Sequence, residues 1–313
     1  MQTSKNKGSA LLSALFIMTL VAIAAIAMAT RLQLDIYRTR ISLTSDKLYL
    51  AAQLIQFWGL SELANPNQQF YKADSAGKVL DFPEKFKAIY PDFQIKGSLY
   101  DLQARFNLNN VSDSKYQTSF QSLLKNSAKK LEPQQRSSLG FALYNWLIPY
   151  QPGHEATNNL SYYLKQKPPY YPAHQFMQNQ SEFRLVMGVN ARLYREMQSF
   201  IIALPEVTPV NLNTASKPVL TSLGLGLDEK GVNELIEARG KKGISDINKL
   251  SLLLQKLNIR PEQVSIESQY FMTVANVNSE DLQLTSYTIL KRKKEKNGKI
   301  TVSIVGESLN AFD

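Results

Sequence analysis

The stretch Lys5-Asn6-Lys7-Gly8-Ser9-Ala10-Leu11-Leu12, with the apolar run that continues it, decides the fold of this chain. Between Ala10 and Ala29 there is no charged residue, and the only hydroxyl side chains are Ser13 and Thr19. About 20 apolar residues in a helix span roughly 30 Å, the thickness of the hydrocarbon core of a bilayer. Because lysines precede the run, we expect a cytoplasmic N-terminus and export of everything after Arg31.

Three interpretations fit this segment. A secretory signal peptide would be cleaved near Ala27-Met28-Ala29, but the apolar core is longer than the roughly 7–15 residues of such signals. An uncleaved anchor is the second interpretation. The third is a prepilin leader, a short basic segment that ends in glycine and is cut before a retained apolar helix. The sequence around Gly8 and Ser9 has that pattern, which predicts cleavage and N-methylation at this junction.

The sequence after Arg31 favours the prepilin interpretation. Apolar residues recur there at a broadly helical spacing as far as Trp58, and neither proline nor glycine occurs before Gly59. One helix of about 50 residues, half in lipid and half amphipathic, is similar to the spine of a type IV pilin or pseudopilin.

The composition of the chain limits the kinds of functional site that it can form. The 313 residues carry a formal net charge of +10, to which a basic run over 291–296 contributes, and they include no cysteine and two histidines. Disulfide and thiolate chemistry are therefore absent, and zinc sites of the common types are not expected. We interpret the basic run as the solvated turn of a hairpin, with Asn297-Gly298 at its tip.

The chain after the spine predicts a mixed domain. Asn65-Pro66-Asn67 breaks the spine, and residues 65–93 are predicted to form a loop-rich bridge. Strand-like alternation, helical spacing and proline-rich irregular sequence then follow one another. The predicted strands are Phe93–Tyr100, Asp101–Asn109, Phe271–Ala275, Thr285–Leu290 and Lys299–Val305; the helical regions are 119–124, 139–147 and Glu182–Phe200; Pro149–Ala173 is irregular; and Pro205–Pro209 is a linker.

A four-residue echo suggests an internal repeat. Val210-Asn211-Leu212-Asn213 resembles Phe106-Asn107-Leu108-Asn109, and each copy precedes hydroxyl residues, among them Thr214, that suit helix starts. Two related helical halves are one interpretation, and chance is the other.

Residues 214–250 resemble a helix-hairpin-helix, with a glycine turn at Gly224 and Gly226 and a helix capped by Asp228. In nucleic-acid-binding versions such a turn offers backbone N–H groups to a phosphate. The basic residues that could assist are Lys217, Lys230, Arg239, Lys241 and Lys242. Behind an export segment we favour the other interpretation, in which the glycines only allow two helices to pack tightly.

The whole pattern resembles the minor pseudopilin K family of type II secretion. The similarity rests on a prepilin start followed by these segments in order: Asp101–Asn109, Asn145-Trp146-Leu147, Gly153-His154-Glu155, Ser181–Gly188 with Glu182, Val210–Ala215 and Gln269-Tyr270-Phe271. It implies an α+β, type IV pilin-like fold, with a long N-terminal helix plus a small antiparallel sheet, and a large inserted α-helical domain containing a helix-hairpin-helix or SAM-like unit. The resemblance implies a leader over residues 1–8 and the membrane half of the long helix over 9–30. Residues 31–105 would form the rest of the helix, the bridge and the first strand of the pilin-like domain. The insertion would cover 106–268, with its second half at about 210–260, and the closing strands would cover 269–313.

The resemblance also implies a biological setting. It predicts a non-enzymatic subunit at the tip of a periplasmic pseudopilus, anchored by a single pass in the bacterial inner membrane. Its expected partners are the minor pseudopilins I and J, the major pseudopilin, the inner-membrane assembly platform and the processing prepilin peptidase. We expect spine contacts through Leu32, Ile36, Leu43 and Leu54. A membrane-anchored DNA-binding protein that uses residues 214–250 is the alternative, and an exported enzyme has no nucleophile or dinucleotide motif to support it.

Two positions bear on this resemblance. Most pseudopilins carry a glutamate as the fifth residue after the cut, whereas this chain has Ser13, which suits a first subunit with no neighbour above it. Family members also carry acidic residues that bind calcium near the tryptophan segment. Here Asn145, Ile148 and Tyr150 occupy that neighbourhood and Glu155 is the main carboxylate left, so we expect no cofactor and no tight calcium site.

The mature N-terminus distinguishes the three interpretations of the first segment. We expect intact mass and terminal sequencing of the protein from its own membrane to give a start at Ser9, because a prepilin peptidase cuts before the apolar run. A start at Thr30 would indicate ordinary signal cleavage and would contradict the retained spine.

Overall fold

The N-terminal helix α1 runs without a break from Lys7 to Ala64, 58 residues in all. The computed structural model describes residues 7–150, 152, 159–295 and 297–310. The helix continues past Gly59, and this glycine faces the sheet, where a Cβ atom would collide with the γ-methyl group of Thr273. Gly59 is therefore a point of close packing and not a helix end.

The remaining elements follow in chain order. The strands are β1 (Lys78–Asp81), β2 (Gln94–Asp101), β3 (Phe106–Asn107), β4 (Ile201–Ile202), β5 (Val210–Asn211), β6 (Val264–Ser265), β7 (Tyr270–Asn278), β8 (Gln283–Lys294) and β9 (Ile300–Leu309). The helices are α2 (Ser114–Ser127), α3 (Pro133–Leu147), α4 (Leu160–Leu164), α5 (Ala191–Met197), α6 (Lys217–Thr221), α7 (Glu229–Arg239) and α8 (Ser251–Lys256). Short 3₁₀ turns cover Glu84–Ile89, Leu102–Ala104, Leu108–Ser112, Gln180–Leu185, Ile247–Leu250 and Pro261–Gln263.

Five strands form one antiparallel sheet in the order β1-β2-β7-β8-β9. Strands β2 and β7 are neighbours in this sheet, and their pairing extends to Asp101 opposite Phe271. All the chain between these two strands therefore leaves and re-enters the sheet at one end. The long helix, small antiparallel sheet and inserted helical region are the fold class that the sequence predicts.

The C-terminal third of α1 lies across this sheet. Leu48, Ala51, Ala52 and Ile55 are buried against strand residues, while the N-terminal part of the helix extends away from the head. Gly97 of β2 allows the close approach, because a Cβ there would lie 2.9 Å from the Ile55 side chain. The spine and the sheet consequently share one apolar core.

The inserted region contains two lobes, each with its own apolar core. We call residues 106–204 the first lobe and residues 210–266 the second lobe. Each lobe is closed by a two-residue parallel pair, β3 with β4 in the first and β5 with β6 in the second. Both lobes thus begin and end with strands that lie side by side.

Several predicted elements differ in detail. Strand β1 lies in the predicted bridge. Of the predicted strand Asp101–Asn109, Asp101 ends β2 and Phe106–Asn107 form β3, while the rest forms short 3₁₀ turns that buried Asp101 and Asn107 cap. The predicted helix Glu182–Phe200 is interrupted at Gly188, whose φ of 89° is incompatible with a helix. In the second lobe, helix α6 starts at Lys217 rather than Thr214, because the hydroxyl group of Thr214 donates a hydrogen bond to Asp101.

The basic run over 291–296 is only in part the solvated turn that we expected, because Lys293 and Lys294 are exposed but Arg292 is buried, and Lys296 lies outside the described residues. Strand β8 extends to Lys294, and Arg292 is buried within it. Arg292 Nε donates to the carbonyl of Leu63 at 2.8 Å, and its Nη2 donates to the carbonyl of Asn65 at 3.3 Å. A cation from the sheet therefore satisfies the free carbonyls and the negative dipole end of α1.

Substitution of Arg292 should destabilise the contact between α1 and the sheet. We expect Arg292→Ala to lower the free energy of unfolding by about 2–4 kcal/mol, because it removes a buried side chain and the charged donor of the Leu63 carbonyl at the end of α1. Urea unfolding of the full chain in detergent measures this loss. Lys293→Ala is the matched control and should cost about 0.5 kcal/mol or less, since the neighbouring Lys293 is exposed. Equal losses in both variants would contradict the capping role.

Candidate functional site

The exposed part of the spine is the first candidate surface. Residues 9–40 of α1 are solvent-exposed along their whole length, and the helix is long and apolar enough to cross a membrane. The run Ala10–Ala29 is the uncharged part of that exposed length. Such a surface is stable only in lipid or against another apolar surface.

Beyond the membrane run, one side of the helix carries an apolar stripe. Ile36, Leu43, Leu50 and Phe57 follow one another at intervals of seven residues and are 60%, 57%, 51% and 62% exposed. We call these four residues the seam. A seven-residue repeat keeps apolar side chains on one side of a helix and is typical of helix–helix contacts. The seam reaches the level of the head, where the other side of α1 is buried by the sheet.

The predicted spine contacts separate into two groups. Leu32, Ile36 and Leu43 are exposed, in the position that an intermolecular contact requires. Leu54 is different, because it is partly buried and packs on the core between α1 and the sheet. The structure therefore does not favour Leu54 as a contact residue, and Leu50 and Phe57 are the exposed apolar residues that follow Leu43 along the helix.

The hydroxyl group of Ser13 is hydrogen-bonded within its own helix. Its hydroxyl donates to the carbonyl of Ser9 at 3.0 Å, within the same helix. A hydroxyl bonded in this way needs no partner from another chain, in contrast to a carboxylate at the same position in lipid. Gly8 and Ser9 lie within the first turns of α1.

The second candidate site is a buried carboxylate where the insertion joins the sheet. Asp101 is fully buried at the end of β2. Its Oδ2 accepts hydrogen bonds from Thr214 Oγ1 at 2.6 Å, Ser268 Oγ at 2.7 Å and Asn211 Nδ2 at 3.0 Å. Its Oδ1 accepts from the backbone N–H of Gln103 at 2.9 Å. One side chain thus joins the sheet, the start of the second lobe and the return to β7.

The electrostatics of Asp101 follow from this burial. Removal from water raises the pKa of the Asp101 carboxyl, and the four hydrogen bonds that it accepts lower the pKa and offset part of the rise. Asn211 also donates to Ser268 Oγ at 2.8 Å, so that the donors are linked to each other. A buried network with every member bonded fixes one arrangement of its elements.

The four predicted asparagines form two matching pairs. Asn107 Oδ1 accepts the N–H of Asn109 at 3.1 Å, and Asn211 Oδ1 accepts the N–H of Asn213 at 2.9 Å. The second member of each pair then binds the far part of its lobe through the same three contacts. Asn109 bonds Met177 N, Met177 O and Leu204 O, while Asn213 bonds Ile244 N, Ile244 O and Ile266 O. The sequence echo therefore corresponds to one hydrogen-bond arrangement built twice.

The predicted linker is held in place. Asn110 and Thr208 exchange two hydrogen bonds, and Asn107 Nδ2 donates to the carbonyl of Glu206 at 2.8 Å. Gln103 Nε2 donates to the carbonyl of Pro209 at 2.9 Å, while its Oε1 accepts the N–H of Tyr270 at 3.2 Å. Amide side chains thus fix the linker to the first lobe and to the residues that flank β2 and β7.

The other predicted family residues have structural contacts. Trp146 is buried beside Tyr163, at 5.7 Å between ring centroids. Glu182 accepts the N–H groups of Gln178 at 2.7 Å and Asn179 at 3.0 Å, and so caps a 3₁₀ turn. Gly188 provides the positive φ of the next turn. Glu155, the remaining calcium candidate, lies outside the described residues.

The described residues near Trp146 do not fit a calcium site. In the part of the chain that the structure describes, no three Asp, Glu or His side chains gather at one place. Calcium requires six to eight oxygen ligands, several of them carboxylates. The expectation that a tight calcium site is absent stays a prediction.

The hairpin of the second lobe is packed against its neighbours. A Cβ on Gly224 would lie 2.8 Å from the carbonyl oxygen of Leu257, and a Cβ on Gly226 would lie 2.7 Å from Ser122 Oγ of α2. The N–H of Gly226 already donates to the carbonyl of Leu223 at 3.0 Å. Both glycines of the turn are thus in close contact with neighbouring parts of the protein, although Leu225 and Gly226 are exposed.

The basic residues proposed to assist DNA binding are partly engaged as well. Arg239 Nη1 donates to the carbonyls of Leu212, Asn213 and Ala215 at 3.0–3.2 Å. Lys217 pairs with Glu229 at 3.1 Å. These contacts favour the interpretation of the hairpin as a packing device.

Comparison with known proteins identifies the family. Two family models match the chain, and both are described as type II secretion system (T2SS), protein K. One matches residues 104–206 and the other matches residues 210–267. Type II secretion system protein K of Aeromonas hydrophila is 30% identical over 278 residues, which cover 76% of this chain and 77% of that protein. The chain belongs to the type II secretion system protein K family.

Other relatives agree. Protein K of Klebsiella pneumoniae is 30% identical over 268 residues, with 78% of both chains covered. Protein K of Pseudomonas aeruginosa is 31% identical over 219 residues, but these span 67% of this chain and 63% of that protein. A chain in the crystal structure of the GspK-GspI-GspJ complex from the type 2 secretion system of enterotoxigenic Escherichia coli has the same fold. Its TM-score is 0.70 at 21% identity, with 88% of this chain and 100% of that chain covered.

Family membership confirms the resemblance seen in the sequence. The chain is a minor pseudopilin of type II secretion, anchored by a single membrane pass with its head in the periplasm. The comparisons offer no support for the DNA-binding alternative. The two matched ranges also correspond closely to the two lobes.

Sequence reasoning missed several residues that organise the head. Gln103 and Ser268 join the Asp101 network, and Arg292 caps the spine. Gln103 could have been noticed from its place in the stretch Asp101–Asn109. Ser268 and Arg292 carried no local signal, because their partners are distant in the sequence: Asn211 and Asp101 are 57 and 167 residues from Ser268, and Leu63 is 229 residues from Arg292.

The Asp101 network predicts a large effect of one substitution. We expect Asp101→Ala to lower the free energy of unfolding by about 3–5 kcal/mol, because four buried donors lose their acceptor. Asp101→Asn should cost less, since one amide oxygen still accepts. Chemical unfolding measures both variants, with exposed Asp281→Ala as the control. An Asp101→Ala loss no larger than that of the control would contradict the network's role.

Proposed function

We propose that this chain is a non-enzymatic subunit at the tip of the type II secretion pseudopilus. In this proposal it resides in the bacterial inner membrane after cleavage between Gly8 and Ser9, and helps to initiate assembly of the pseudopilus for export of folded proteins. It works through helix–helix contact with minor pseudopilins I and J, and needs no cofactor. The observation that carries the proposal is the seam, an exposed apolar stripe outside the membrane run.

The geometry supports partners that lie along the spine. The sheet covers one side of α1 at head level and leaves the seam on another side, so a second helix can run from the membrane to the head beside it. The structurally similar chain belongs to a complex of three proteins, GspK, GspI and GspJ. Contact with I and J along the seam would give this chain the same kind of assembly.

Ser13 and the bulk of the insertion support the tip position. A subunit inside a filament needs a polar link to its neighbour in lipid, whereas the Ser13 hydroxyl is satisfied within its own helix. The insertion between β2 and β7 adds two lobes to the head. A subunit with a large head and no demand for a neighbour above it fits the end of a filament. The major pseudopilin and the assembly platform would then be contacted below it.

A charge placed in the seam should disrupt assembly. We expect Leu43→Glu to reduce co-purification with pseudopilins I and J at least about tenfold, because a carboxylate would be buried at an apolar contact. Ser45→Glu is the matched control. It lies two residues away on a different side of the helix, is exposed, and should leave co-purification unchanged.

The unfolding midpoint of both variants should equal that of the unmodified chain, since neither residue is buried in the head. Retained complex formation with Leu43→Glu, or an equal loss with Ser45→Glu, would contradict the seam as the contact surface.

A further inference from the structure

The outer strand β9 has the properties of an unprotected sheet edge. It is ten residues long, pairs with β8 on one side, and has no strand on the other in the described part of the chain. Ile304, Val305 and Leu309 are 48%, 44% and 45% exposed. Long exposed edges pair readily with other chains, and proteins usually blunt them with charges, prolines or short length.

The opposite edge of the same sheet shows the usual protection. Strand β1 is four residues long, and Lys78 and Asp81 form an ion pair at 3.0 Å on it. Strand β9 has one register irregularity, at Val305 opposite Ile289 and Leu290, but it has no proline, and Glu307 is the only charged residue within it. The difference between the two edges indicates that β9 is kept available for pairing.

Backbone geometry identifies donors that point outward. The N–H of Asn310 donates to the carbonyl of Thr285 on β8 at 2.8 Å. Because alternate residues of an antiparallel strand point their N–H groups to the same side, Glu307 and Leu309 direct theirs away from β8. Among the described residues no acceptor is bonded to these two N–H groups, which leaves them available to an added strand.

The charge beside this edge indicates what kind of strand would fit. Lys293 and Lys294 lie opposite Thr301 and Ile300, and Lys299 immediately precedes β9. All three lysines are exposed, and none forms an ion pair with another described residue. Lys291 differs, since it pairs with Glu206 at 2.6 Å. Three unpaired cations at one end of an edge favour a segment with carboxylates.

We propose that β9 binds an extended acidic segment of another protein by adding it as a sixth strand of the sheet. Backbone pairing supplies the affinity, carboxylates face the lysine end, and apolar side chains of the segment cover the exposed apolar residues of β9. A second copy of this chain fits less well, because its own β9 offers one carboxylate, Glu307, to the lysines. This inference concerns a surface separate from the seam and does not rest on the proposed function.

The test uses the full chain in detergent and a designed fluorescent peptide of eight alternating glutamate and valine residues. We expect saturable binding by anisotropy, and slower hydrogen exchange in residues 300–310, because an added strand protects the outward N–H groups. The same peptide methylated on alternate backbone nitrogens keeps its charge but cannot pair on that side. Its binding should be at least about tenfold weaker. A peptide with lysine in place of glutamate should also bind at least about tenfold more weakly.

Paired variants locate the site on the protein. Lys293→Glu combined with Lys294→Glu should weaken binding of the acidic peptide by about tenfold or more. Lys241→Glu combined with Lys242→Glu, an exposed pair in the second lobe, should leave it unchanged.

Three results would overturn the proposal. They are absence of saturable binding, equal binding of the methylated peptide, and equal binding of a single-stranded oligodeoxynucleotide of the same charge. The last would show a general attraction of polyanions to the lysines. A dimer in sedimentation experiments that is lost when Ile304→Asp is introduced would instead show that a second copy covers the edge.

Discussion

The head depends on one buried carboxylate. Asp101 stands where the chain leaves the sheet, and the donors that it binds come from the second lobe and from the residues that lead back into β7. An unpaired charge in this position would cost several kcal/mol, so the carboxylate is tolerated only when the insertion closes around it. The same contacts therefore both require the insertion to fold and fix its position on the sheet. This explains how about half of the chain can be inserted between two neighbouring strands without disturbing their pairing.

The spine is fixed to that head as firmly as the insertion is. Gly59 and Gly97 bring α1 close to the sheet, and Arg292 closes the end of the helix from a strand. Because the helix is continuous into this core, the direction of the seam is determined by the head. A partner helix that binds the seam is thereby placed at a defined side of the sheet. A flexible joint between spine and head would lose this relation, and with it the orientation of the lobes on a filament.

Local patterns allowed much of this arrangement to be predicted from the sequence. The uncharged run Ala10–Ala29, the alternation in the closing strands and the repeated asparagine motif each depend on residues close together in the chain, and each corresponds to a feature of the structure. The Asp101–Asn109 stretch was recognisable as a motif, but its conformation was not. Asparagine side chains accept nearby N–H groups and replace strand pairing with 3₁₀ turns. Arg292 looked like part of a solvated basic run, because its partners on α1 are distant in sequence.

The two lobes contain the same pair of asparagines, but the first asparagine of each pair bonds different parts of the head. In both, the first asparagine fixes the second, and the second binds the far end of its lobe. The first asparagines differ in what their amide nitrogens reach. Asn107 donates to the linker at Glu206, whereas Asn211 donates to Asp101 and Ser268. The first lobe is thus closed on the connection between the lobes, and the second on the sheet. The glycine hairpin also connects parts of the head, because its turn packs on α2 of the first lobe. A motif that binds phosphate elsewhere thus contributes here to the contact between two related units.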